Sequence, residues 1–373
     1  MEHLPHSLLD KYGRLLSLDF YRGLTMFLLV AEAAGLWHSL NEPYFEGTVI
    51  GAIATQFHHH PWNGLRFWDL VQPFFMFIVG VAMPISFGKR WERGDSWPDT
   101  FRHALTRSLT LLALGVGVYC VTAGHLVFEL WNVLAQLSFT YLVAFLVMRK
   151  SSASQIGVTV GLLLLTEALY RLWPVAGFNQ PFMPDHNFGS WLDMILMGKL
   201  SGGHWVAFNA VPTAAHTIWG VLAGQVLISD RATKHKLRTL VIAGLILVVV
   251  GYALNPVTPI IKRIATTSFT IVTGGWCLLA LVFSFWAIDV KKFQTGIARF
   301  FATMGMNPLF IYMFSLLGGA AWLGDITGVF TEGFLGWFGI PLAVIGIVTA
   351  VIVQAMQWYL TYFLYDNRIF IKI

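Results

Sequence analysis

Cysteine is almost missing from this chain: Cys120 and Cys277 are the two among 373 residues, both inside long apolar stretches. Two cysteines so placed give neither a disulfide framework nor a CxxC redox or metal motif, so each reads as a small apolar residue. Charge is scarce as well. Asp, Glu, Lys and Arg make up 12% of the chain against about 25% in ordinary soluble domains, which excludes a surface designed mainly for water. Low-complexity tracts, clear internal repeats and a separate soluble domain are also missing. The opening "MEHLPHSLLDKYGRLLS" is polar, without a short apolar core followed by a small-residue cleavage site, so no cleaved signal peptide is expected.

What the chain has in abundance is long apolar runs, with 56% hydrophobic residues. A helix needs about 20 residues to cross a bilayer core of about 30 Å, and the runs are of that length, without the short alternation of a membrane β-barrel. The expected fold is all-α, a polytopic transmembrane helical bundle of about ten helices in a single transmembrane domain over 1–373. Spans are predicted near 18–40, 66–87, 104–123, 131–148, 155–173, 211–228, 239–255, 266–288, 303–322 and 339–364. Of the 24 Lys and Arg residues, Arg66, Arg171, Lys199, Lys262 and Arg263 fall on one side of this topology. The remaining 19, among them Lys11, Arg14, Arg22, Arg90, Arg107, Arg149 and Lys372, fall on the other. Positive residues stay in the cytoplasm, so both termini are expected to be cytosolic. The same bias accounts for the net charge of +5 without a nucleic-acid partner.

Ionisable residues near the first two spans are costly in lipid and mark functional candidates. Asp19 and Arg22 are three apart and so can pair across one helical turn. Glu32 lies later in the first span and Asp69 early in the second. Glu167 and Arg171, near the outer end of the fifth, read as a structural pair. Before Asp69 stands "HHHPWNG", at the outer end of the second span. Adjacent residues rarely point at one ion, so only His58 and His60 have the spacing to share a metal. A solvated interfacial cluster and catalytic use of one imidazole as base or nucleophile are the other readings. The outer segments 41–65 and 174–210 are longer than simple turns require, as functional loops often are.

"SLDFYRGLTM" and "HHHPWNGLRFWDLVQPFFMFIVGVAMPIS" resemble the transmembrane acyltransferases of the heparan-α-glucosaminide N-acetyltransferase family. That family's pattern is roughly S-x-D-x-x-R-G, then H-x-x-W-N-G-x-x-x-x-D-L-x-x-P-F-F-x-F-I-x-G. "NVLAQLSFTYLVAFLV", "WLDMILMGKLSGGHW", "VPTAAHTIWGVLAG" and "MGMNPLFIY" are similar to later family segments through Gln136, Asp193, Gly198, His204 and Asn307. The family's catalytic histidine stands three before the tryptophan, which is His59 here. Where the family usually places an asparagine late in the first span, this chain has Ala33.

The resemblance implies transfer of an acetyl group from cytosolic acetyl-CoA, as co-substrate and without a metal, to an amino sugar or glycan on the outer side. His59 would serve as base or acyl carrier, Asp69 would orient or charge-stabilise an imidazole, and Asn63 would donate to the developing oxyanion. The Trp-Asn-Gly can equally be a turn that opens the helix. Asn307, Gln136 and Arg22 are the expected cofactor-binding residues, the two amides through the resemblance and the arginine because basic side chains make charge-assisted contacts with phosphate. Trp62, His204, Asp193 and Glu32 are expected at the acceptor, and Trp62 also suits an interfacial anchor. A lipid environment, a homodimer and the inner membrane of a bacterium complete the expectation. The competing reading is a multi-pass transporter of a small polar or sugar-like solute, since many spans with ionisable residues also describe a carrier.

The charge split carries a direct test. A cysteine placed at Gln56 should react with a membrane-impermeant maleimide added outside intact cells, and one placed at Ser96 should not; the reverse pattern would invert the topology.

Overall fold

The computed structural model describes residues 15–293 and 295–371; Lys11, Arg14 and Lys372 of the inner-side set lie outside them. Among the described residues the regular structure is helical, and the one extended pairing is an isolated antiparallel bridge between Asn63 and Ile261. The protein is an all-α, polytopic integral membrane protein. Among the described residues, seven helices are long and apolar enough to cross a bilayer: Phe67–Glu92, Trp97–Ala123, Ser152–Leu172, Ala207–Ile228, Thr233–Leu254, Thr267–Val290 and Leu342–Asp366. Each answers to a span expected from the sequence.

The other three expected spans are built differently. The stretch 18–40 is a helix over Leu16–Ala33, broken at Gly35, whose φ of 83° is left-handed, and a short helix over Leu36–Leu40. The stretch 131–148 is a helix over Val133–Val147 of 15 residues, about 22 Å at 1.5 Å per residue and short of the bilayer core. The stretch 303–322 is divided by Asn307 before Pro308 and by Gly318, at φ 96°. Pro308–Leu316 and Gly319–Trp337 then meet at a bend of 64°. Hydropathy windows see apolar length, whereas proline and left-handed glycine end helices locally.

The described chain forms two compact units. The first holds His60–Leu65 and Gln72–Phe283, and the second holds 15–59, Arg66–Val71 and 284–371. In the first unit, Val133–Val147 packs against Trp97–Ala123 and Ala210–Ile228, and Ser152–Leu172 also packs on Ala210–Ile228. Asn132 explains one start: its side chain accepts the Ala135 N–H at 2.9 Å and donates to Gly115 O at 2.9 Å, capping one helix while tying it to its neighbour. Phe87, Tyr141, Phe145, Ile218 and Val221 meet in a core between these helices. Outward, Leu245, Ile246 and Val249 of Thr233–Leu254 are exposed, as on a face turned to lipid. In the second unit, Leu16–Ala33 packs on Thr295–Met306, Pro308–Leu316 and Leu342–Asp366.

Close helix contact is obtained with glycine, as is usual where lipid removes the hydrophobic drive for association. In the first unit a Cβ built on Gly80 would lie 2.0 Å from Thr217 O, and one on Gly220 would lie 2.1 Å from Phe77 O. In the second, a Cβ on Gly23 would lie 1.8 Å from Phe301 O. The obstructing atoms are backbone, so a larger residue must move a whole helix. Gly80→Val is therefore expected to lower stability by about 1–3 kcal/mol or more. Gly157→Ala, with nothing within 4 Å, should be neutral or raise it by about 0.5–1 kcal/mol through helix propensity. Thermal unfolding of the two variants in the same detergent reads the difference.

Candidate active site

The three adjacent histidines diverge. His58 Nε2 lies 3.1 Å from Trp37 O and donates to it, the His60 ring lies over Gly64 in the first unit, and His59 turns to Asp69. His59 Nδ1 is 2.9 Å from Asp69 Oδ1. The His59 side chain is 32% exposed and that of Asp69 1%, so the pair has a buried anionic end and an accessible imidazole.

Local structure builds this pair within the second unit. Asp69 is the third residue of a tight helical turn over Phe67–Leu70 that leads into Val71–Glu92. Its Oδ2 accepts the Arg66 N–H at 2.9 Å, so the carboxylate caps the helix start, where N–H groups and the helix dipole favour negative charge. Arg66 Nη1 donates to His59 O at 3.0 Å, and the Trp68 N–H donates to Gln56 O at 2.9 Å. Both bonds hold the histidine segment against the helix start. Trp37, Trp68, Leu28, Ala31 and Val71 form an apolar core beneath it, with Trp37 stacked on Phe57 at 4.0 Å. A carboxylate can only accept hydrogen bonds, so His59 carries its proton on Nδ1 and its lone pair on Nε2.

Arg22, Glu32 and Asn307 also belong to the second unit. Arg22 Nη1 lies 3.5 Å from Asp19 Oδ1 and 3.3 Å from Gly305 O, the pairing their spacing predicts. Glu32 is exposed in the last turn of Leu16–Ala33, not deep in a span, because the helix ends before Gly35. Asn307 is fully buried: Nδ2 donates to Ile369 O at 2.9 Å and Oδ1 accepts the Ile371 N–H at 2.9 Å, so its amide clasps the following chain.

The remaining expected residues lie in the first unit. Asn63 is exposed and its backbone bridges Ile261, while Gly64 N–H donates to Ile260 O at 2.8 Å; Trp-Asn-Gly is here a loop pinned by backbone pairing. Trp62 Nε1 donates to Phe182 O at 2.8 Å and its ring meets His204 edge-on at 6.2 Å. His204 Nδ1 lies 2.6 Å from Asp185 Oδ2, and both residues adopt left-handed φ, 59° and 62°, a costly conformation outside glycine. Gln136 is buried in a chain of amides: it accepts from Gln72 Nε2 and donates to Asn209 Oδ1 at 2.7 Å, and Asn209 donates to Arg263 O at 3.2 Å. Asp185, Asn209 and Trp131 were not legible as site residues, since each reaches its partner across a loop. Glu167 and Arg171 pair as expected and also hold Thr258 and Val257 O.

Asp193 is fully buried in the ten-residue helix Phe188–Met197, which is too short to cross a bilayer. Its Oδ2 accepts from Trp131 Nε1 at 2.7 Å and Oδ1 from Ala207 N–H at 3.0 Å. Burial pushes its carboxyl up to about 6 against the pull of those two donors.

No family model matches the chain. It is 24% identical over 368 residues to the human protein named heparan-alpha-glucosaminide N-acetyltransferase, covering 80% of this chain and 52% of that protein. To the mouse protein of the same name it is 30% identical over 149 residues, 38% of this chain and 20% of that protein. The chain thus spans about half the length of the human relative and a fifth of the mouse one. It is related at the family level to the heparan-α-glucosaminide N-acetyltransferases.

Asp193 supplies a pH test. Its folded carboxyl binds protons more tightly than an unfolded one, so its protonated form contributes stability at low pH that is lost as pH rises from about 4 through about 6. Asp193→Asn does not titrate. Its melting temperature should therefore gain on that of the wild type across this window and hold a constant offset above it; an offset that does not change with pH would contradict the assignment.

Proposed function

We propose that this chain is a membrane acyltransferase that carries an acetyl group from acetyl-CoA on the cytosolic side to an amino sugar or glycan on the outer side. The observation that supports it is the His59–Asp69 pair, with its buried carboxylate and part-exposed ring. The family relationship supplies the reaction class. Residence in a bacterial inner membrane and assembly as a homodimer belong to the same proposal.

The chemistry is amine acylation. A thioester is polarised enough to be attacked by a neutral amine, and the acceptor nitrogen must lose a proton as its bond to the acyl carbon forms and the carbon–sulfur bond breaks. His59 Nε2 takes that proton, and the departing thiolate receives one in turn. In the two-step variant Nε2 itself attacks the thioester and hands the acetyl group to the amine. Both routes need the lone pair on Nε2. Asp69 fixes that tautomer through Nδ1 and stabilises the imidazolium, as the acid of a catalytic triad does. Arg66 keeps the His59 backbone in register for it.

The transporter reading draws on the 64° bend between Pro308–Leu316 and Gly319–Trp337, since broken helices line carrier sites. Among the described residues this bent pair has no counterpart elsewhere in the chain, whereas inverted-repeat carriers hold them in matched positions.

His59→Ala should lower acetyl transfer by about 10²–10⁴-fold if the ring is a base, and further if it is an obligatory acyl carrier. Asp69→Asn, which favours the opposite tautomer, should lower it by on the order of 10²-fold or more. His58→Ala and His60→Ala should stay within about tenfold, because neither ring touches Asp69. Acidification should slow the wild type, since imidazolium can neither accept a proton nor attack. Labelled acetyl-CoA with a panel of hexosamines and detection of product by mass spectrometry is the assay. Full activity in the His59 variant would remove the proposed role.

A further inference from the structure

Arg107 is ten residues into Trp97–Ala123, about 15 Å along its axis, on the side of the first unit that the charge distribution assigns to the cytosol. It is half-buried, its guanidinium lies over the Tyr141 ring at 4.8 Å, and its Nε is buried without a hydrogen-bond partner. No carboxylate among the described residues forms an ion pair with it. A guanidinium at membrane depth is costly unless something neutralises it, and an aromatic face offsets only part of that cost.

Other basic groups stand on neighbouring rings, because Phe87 packs against Tyr141, His103 and Trp91. Arg90, near the end of Val71–Glu92, sends Nη1 to Asp95 Oδ2 at 3.3 Å and Nη2 toward His103 Nε2 at 3.3 Å. Arg149, just beyond Val133–Val147, lies over the Trp91 ring at 5.2 Å. Three guanidinium groups, two on helices and one just beyond a third, thus lie on side chains around Phe87, and Asp95, paired with Arg90, is the carboxylate that an ion pair brings to them among the described residues. Such a place suits an anion that carries several charges and a flat ring: phosphates match the guanidinium fork, and a base can stack on tryptophan and arginine.

We propose that Arg90, His103, Arg107, Tyr141, Arg149 and Trp91 form a binding site for the phosphorylated nucleotide end of a coenzyme. The assignment of that coenzyme as acetyl-CoA rests on the acyltransferase reading. The residues expected from the sequence to hold the cofactor, Gln136, Asn307 and Arg22, are engaged with protein groups elsewhere.

The probe is adenosine 3′,5′-bisphosphate, which carries the nucleotide and phosphates of coenzyme A without its thiol, titrated into the full-length protein in a neutral detergent and followed by thermal shift. The wild type should be stabilised in proportion to occupancy. Arg107→Gln should weaken binding by about 10- to 100-fold, the loss typical of a charged hydrogen bond, with Arg107→Lys in between. Arg90→Gln reads the same site should Arg107→Gln not fold. Equal affinity in the wild type and the glutamine variants overturns the site. A parallel arm adds phosphatidylglycerol instead: stabilisation that depends on Arg107 there, with none from the bisphosphate, makes this a lipid headgroup site and also overturns it. Acetyl transfer is measured on the same samples. Arg107-dependent nucleotide binding in an inactive wild type keeps the site and removes the reaction, whereas active protein whose nucleotide binding ignores Arg90 and Arg107 keeps the reaction and removes the site.

Discussion

Hydrocarbon offers no hydrogen bonds, so every backbone N–H and C=O at membrane depth must be satisfied by the chain itself. That constraint makes the regular structure helical and sends apolar side chains such as Leu245 and Val249 outward. It also confines polar side chains to the interior of each unit. The amide chain Gln72–Gln136–Asn209 and the contact of His216 Nε2 with Thr270 O and Thr273 Oγ1 are two results. With no hydrophobic gain from pressing one helix on another, intimacy has to come from small residues, and Gly80, Gly220 and Gly23 are placed where backbone meets backbone.

A buried carboxylate is accommodated where the constraint relaxes, at a helix end. Asp69 can be buried as a charged group because a helix start supplies its donor and its dipole, and because the His59 ring takes the other oxygen. The ring of that pair stays part-exposed. In the first unit, Arg90 near one helix end, Arg149 just beyond another and Arg107, ten residues into a third, lie on rings that pack around Phe87. Loop residues in left-handed conformations, Asp185 and His204, hold a second histidine–carboxylate contact beside Trp62.

Spacing served well where partners are local. Asp19 and Arg22 three apart, Glu167 and Arg171 four apart, and the helices over Phe67–Glu92 and Thr267–Val290 were all readable because a helical turn or an apolar run is a property of a few adjacent residues. Where a partner is remote, the sequence was mute. Asn307 and Gln136 stand out as polar residues in apolar runs, yet what they bind is backbone 62 residues away in one case and an amide 73 away in the other. Glu32 looked buried only because a hydropathy window runs on through Gly35, which stops the helix.

The sequence by itself determined that this is a multi-spanning helical membrane protein and that the Trp-Asn-Gly block resembles a particular acyltransferase family. Those properties follow from composition and from order along the chain. Only the tertiary structure decided which of three adjacent histidines meets a carboxylate. Consecutive side chains leave the backbone in different directions, and whether Asp69, Trp37 O or Gly64 lies opposite depends on how segments far apart in the chain are folded back.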